Sequence, residues 1–232
     1  MLAGRWSHWW ARPFSPVLPD RQSRPGRLRR GAPVVLLLLA SAGPATAHAV
    51  GAGDGPLRAF WIGVLEVLTS PPVIVAILAS ALMAVVWRAG ALLKLWPAVA
   101  AGTLAGAAVA FAEVANPLAV ALCGATLLGL LGSAGSPLSA GAMRVVAFAA
   151  GVVLSVSALG WHSWSMAPAT SYAGTLVALN GGFALAAGLL GALKAALRQA
   201  WFDIALRAVA SWLVAVTLMM AALYWKDGLF AV

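Results

Sequence analysis

From Pro71 to Trp225 the chain is a train of apolar runs, interrupted only by single basic residues or short Gly/Pro turns. No stretch of it reads as a soluble domain. Runs of about 18 or more apolar residues are long enough, at ~1.5 Å per helical residue, to cross roughly 30 Å of hydrocarbon. The pattern predicts helices over roughly 57–87, 95–114, 117–134, 143–160, 172–193 and 205–225. The first would reach about 46 Å as one straight helix. Pro71-Pro72 is expected to kink it, or to divide a short outer helix from the true span. The predicted fold class is all-α: a polytopic membrane helix bundle with six transmembrane helices.

Composition agrees. The chain is 62% hydrophobic and 9% charged, with a mean hydropathy of +0.94. A water-soluble fold could not cover its surface with so few charges. The N-terminus differs from the rest: Arg5, Arg12, Arg21, Arg24, Arg27, Arg29 and Arg30 stand against one acid, Asp20. Val34 to Ala40 is a short apolar core, and Ala45-Thr46-Ala47 gives a small-x-small site before His48. These are the parts of a secretory signal peptide. The chain therefore divides into 1–47, a basic tail and cleaved signal peptide, and 48–232, the six-span domain. Most of the formal +9 charge belongs to the first segment. No basic stripe with interleaved aromatics suggests nucleic acid as a partner.

The remaining cations set the orientation. Arg88, Lys94, Arg144, Lys194, Arg198 and Arg207 fall on one side of a six-span arrangement, and Arg58 and Lys226 on the other. The positive-inside bias places both mature termini in the periplasm of a bacterial cytoplasmic (inner) membrane. Glycines such as Gly102, Gly106, Gly124, Gly129, Gly181, Gly182, Gly188 and Gly191 read as points where helix backbones approach closely. Trp87, Trp96, Trp161, Trp164, Trp212 and Trp225 read as interfacial anchors. Cys123, the single cysteine, reads as a small packed hydrophobe.

Chemistry must come from few groups. Glu66, Glu113 and His162 fall on or near the periplasmic side, and Asn180 lies within the fifth span. Carboxylates at membrane depth face a cavity or a partner. Imidazole and oxygen ligands together suit nickel, copper or zinc. Glu66, Glu113 and His162 are thus the candidate metal ligands, with a divalent metal ion as substrate, and Asn180 the candidate substrate-path residue. Signal cleavage would make His48 the N-terminal residue, whose amine and imidazole could chelate a metal. Pairing of Glu66 with Arg58 or its placement at headgroup level, solvation of Glu113, interfacial placement of His162 and helix-to-helix bonding of Asn180 are the competing readings. No Cys-x-x-Cys, paired-His motif, serine triad or phosphate loop is present, so an enzyme is not expected.

The segment from Phe60 to Val73 resembles the first-span signature G-x-x-H-P-L-x-x-x-D-H of the HupE/UreJ family of hydrogenase and urease accessory proteins. Gly63 and Leu68 are kept; Glu66, Val67, Pro72 and Val73 stand at the His, Pro, Asp and His positions. Leu95-Trp96-Pro97 leading to Gly102 and Gly106, Leu127 to Leu131, and Gly182 to Ala186 resemble the starts of the family's second and fifth spans and the end of its third. The family's fourth-span and fifth-span histidine motifs are reduced here to Trp161-His162-Ser163-Trp164 and Leu190-Gly191. The resemblance implies a nickel-permease-like membrane fold and metal handling, with Glu66 as the replacement ligand. The alternative is a non-transporting accessory or assembly subunit of a metalloenzyme or respiratory complex. Partners would then be the lipid bilayer and metalloenzyme-maturation or respiratory proteins.

Overall fold

The computed structural model describes residues 55–88, 90–112, 116–135, 138–161, 168–197 and 199–226. The segment 1–47, His48, Glu113, His162 and Trp164 lie outside them. The described residues form seven α-helices and no strand: α1 (Pro56–Thr69), α2 (Pro71–Trp87), α3 (Leu92–Phe111), α4 (Pro117–Ala134), α5 (Ala140–Leu159), α6 (Ala169–Leu197) and α7 (Ala200–Lys226). Five of them, α3 to α7, are long and apolar enough to cross a membrane; α1 and α2 add a sixth if the bent pair counts as one span.

Local chemistry explains the boundaries. Proline begins α1, α2 and α4, where its missing N–H has no intrahelical acceptor to lose. The Asn116 side chain accepts from the Leu118 and Ala119 amides at 3.0 and 3.2 Å, and Ser139 accepts from Ala142 at 3.2 Å. Gly135 ends α4 at φ 59, a conformation costly for a residue with Cβ. Between α1 and α2, Ser70 is extended (φ −89, ψ 106), because the ring of Pro71 disfavours a helical residue before it. The chain turns there by 73°. The expected disturbance at Pro71-Pro72 is therefore a complete break. Other ends move by a few residues: α6 continues to Leu197 and α7 starts at Ala200, beyond the hydropathic limits of 172–193 and 205–225.

From α2 to α7, successive helices alternate in direction. At one end Trp87 Nε1 donates to the Leu138 carbonyl at 2.9 Å, Lys194 Nζ donates to the Val85 carbonyl at 3.2 Å, and the Arg207 guanidinium lies against Gly135. At the other, the Phe111 and Tyr172 rings meet edge-on at 5.1 Å, and Pro117 lies against Gly160. Arg88, just after α2, Lys194 of α6 and Arg207 of α7 thus gather at one end. Helix α2 is central, buried continuously from Ala79 to Val85 and packed on α4, α5, α6 and α7. The remaining principal pairs are α3 with α5, α1 with α6, and α4 with α7.

The outer faces are apolar. Leu104, Leu127, Val145, Leu185, Ile204 and Trp212 are all more than 60% exposed. Such a surface suits hydrocarbon rather than water. Two sequence expectations change here. Cys123 is on the exposed face of α4 instead of packed inside. Trp87 is half-buried and hydrogen-bonded, so it ties α2 to the α4–α5 turn as well as sitting at a helix end.

Candidate functional site

Glu66 is in the last turn of α1, half-buried, four residues before the break at Ser70. A helix ends with carbonyl groups that have no intrahelical donor, and with the negative pole of its dipole. Here Thr69 Oγ1 donates to the Leu65 carbonyl at 2.9 Å and more weakly to that of Glu66 at 3.4 Å. Pro71 and Pro72, next in the chain, have no N–H to offer the other carbonyls. A carboxylate and a helix C-terminus therefore share one turn, a combination that repels anions and attracts cations.

Helix α1 is held in place by two close crossings with α6. A Cβ on Gly63 would collide with the Ser171 carbonyl, and one on Gly174 with that of Phe60. Thr175 Oγ1 lies 3.3 Å from the Gly63 carbonyl and 3.2 Å from that of Ser171. Glu113 and His162 lie outside the described residues. Among the described residues no group of three or more His, Cys, Asp or Glu is close enough to hold a metal ion.

Asn180 is in the interior, where α3, α5 and α6 meet. Its Nδ2 donates to Thr103 Oγ1 and to the Leu176 carbonyl, each at 3.0 Å. Thr103 Oγ1 donates in turn to the Ala100 carbonyl at 2.8 Å, and Ser155 Oγ donates to the Thr103 carbonyl at 2.7 Å. This network fixes the amide orientation, because the Leu176 carbonyl can only accept. It leaves Asn180 Oδ1 buried with no donor among the described residues. An amide oxygen so placed can accept from a water or coordinate a passing cation. Helix-to-helix bonding and a path-lining role are thus both compatible with Asn180.

Sequence reasoning missed Thr103 and Ser155, since small hydroxyls in apolar helices usually bond their own backbone. It also missed Thr126 and Thr217, whose hydroxyls meet at 2.8 Å between α4 and α7. Lys194, read only as an orientation charge, lies 2.7 Å from Asp203 Oδ1 while donating to Val85. The positions of Gly102 and Gly106 one turn apart were the available signal for the α3 crossing; nothing comparable marks Lys194. Comparison with family models, with characterised proteins and with solved structures finds no match.

Proposed function

We propose that this chain is an inner-membrane protein of HupE/UreJ-like type, a nickel-type metal-ion permease or metal-handling accessory protein. In this reading a signal peptide over 1–47 is cleaved, six crossings follow, and both mature termini are periplasmic. The divalent metal ion is substrate, and the chain is not an enzyme. The observation that carries the reading is the position of Glu66 in the final turn of a helix broken at Ser70. Carboxylate, helix-end carbonyls and the negative helix pole together form a cation-attracting patch, the device that broken helices provide in transporters. Glu113 and His162 are the further ligands proposed, and Asn180 Oδ1 an acceptor along the path.

The second reading, a non-transporting accessory or assembly subunit, is favoured by one feature. The α3–α5 crossing is closed: a methyl group on Gly102 or Gly151 would strike the opposing backbone. A conduction path between those two helices is therefore disfavoured. The two readings separate on Glu66→Gln. We expect nickel, cobalt, zinc or copper to raise the thermal unfolding temperature of the purified protein, and Glu66→Gln to abolish that shift without changing expression. If no metal stabilises the wild type, the accessory-subunit reading replaces the permease.

A further inference from the structure

Helix α1 is 14 residues long, or about 21 Å, too short to cross a bilayer. It diverges from α2 by 73°. Helices α2 and α6 run side by side in the same direction, with Ile77 against Gly182 near the start of their contact and Val85 bonded to Lys194 near its end. Helix α1 packs on α6. The crossing is at Ser171, Gly174 and Thr175, in the first two turns of α6 and at the end opposite the gathered cations.

The four sides of α1 have different chemistry. At about 100° per residue, Ala59, Gly63 and Val67 form one face, which is buried. Leu57, Trp61, Leu65 and Leu68 form the opposite face and are 71%, 55%, 55% and 56% exposed. One flank between them carries Arg58, Glu66 and Thr69, with half-buried Ile62 among them; the other carries Phe60 and Val64. A helix standing along the membrane normal has no use for a polar flank facing an apolar one. A helix lying in the membrane plane does, because one flank meets headgroups and the other meets hydrocarbon.

We infer that α1 lies in the plane of the outer membrane interface, with Leu57, Trp61, Leu65 and Leu68 embedded in lipid at the boundary between headgroups and acyl chains. The occupant of that exposed face is lipid. The face continues the apolar outer surface of the bundle, and Trp61 and the Arg58 edge are the residue types that settle at headgroup level. The inference rests on the membrane reading above but not on metal binding. Its consequence for Glu66 is a place at the water-facing edge, where an ion arriving from the aqueous side is met first.

The test is depth measurement on the full-length protein in phosphatidylethanolamine/phosphatidylglycerol vesicles. Nitroxides are placed singly at Leu57, Leu65 and Leu68, and at Thr69, in a Cys123→Ser background, with Leu104 of α3 as reference. Oxygen and a water-soluble nickel chelate serve as relaxing agents. We expect Leu57, Leu65 and Leu68 to share one depth, about 5–10 Å below the phosphates, and Thr69 to favour the chelate. A helix crossing the membrane would instead separate Leu57 from Leu68 by about 16 Å. A depth gradient of that kind overturns the inference. So does chelate access at all three apolar positions, or spin–spin broadening that reveals a second copy on this face. Leu104 keeps the two levels apart: a shallow Leu104 sinks the membrane reading itself, whereas a deep Leu104 with graded α1 depths sinks only the inference.

Discussion

At the residue scale, two glycines that look alike in the sequence have opposite roles. Gly102 faces the Phe148 backbone so closely that any side chain collides, whereas Gly181 has no atom within 4 Å of an added Cβ. We expect Gly102→Ala to destabilise the purified protein by about 1–3 kcal/mol through overpacking. Gly181→Ala should stabilise it by roughly 0.5–1 kcal/mol, because alanine loses less backbone freedom in a helix. Unfolding in detergent measures both; equal effects would refute the assigned packing. Asn180 invites a second measurement. A double-mutant cycle of Asn180→Leu with Thr103→Val should give a coupling of about 0.6 kcal/mol, the size found for interhelical hydrogen bonds in membranes. A coupling of zero would mean that the Asn180–Thr103 bond is not made. Glu66 was legible as a charge in an apolar segment. Its place beside a helix end was legible too, because Pro71 stops the helix five residues later.

At the element scale, the break between α1 and α2 was the most legible feature, since proline acts on its immediate neighbours. Pro71 alone is enough to hold Ser70 out of the helical region. We therefore expect Pro72→Ala to keep the bend and the Pro71→Ala/Pro72→Ala double variant to relax it. Spin labels at Leu57 and Leu78 would report this. Their separation is about 26 Å with the observed bend and about 31 Å along one straight helix. A double variant that shows no longer population would assign the bend to the α1–α6 crossing instead. The ends of α6 and α7 were less legible. Hydropathy falls at Lys194, but the helix continues because Asp203 and the Val85 carbonyl receive its ammonium group.

At the scale of the whole molecule, alternating helices put Arg88, Lys194 and Arg207 at one end and Lys226 at the other. If the basic end is cytoplasmic, the C-terminus is periplasmic. Alkaline phosphatase fused after Val232 should then be active, and a fluorescent protein that folds only in the cytoplasm should be dark at the same position. The reverse pattern would eliminate the six-crossing count and require α1 and α2 to be counted differently.

Helix content, the approximate limits of each helix, the stop before Pro71 and the segregation of basic residues were all determined by the sequence alone. Each depends on hydropathy or on the stereochemistry of adjacent residues. Tertiary structure alone decided that α3 pairs with α5, α1 with α6 and α4 with α7, and that α2 is enclosed by the others. It also decided that Thr103 receives Asn180 and that Gly63 of α1 meets the Ser171 backbone of α6. Several apolar helices of similar composition could be paired in many ways. Which pairs form depends on whether a glycine on one helix meets open backbone on another, and that match is a property of faces in space.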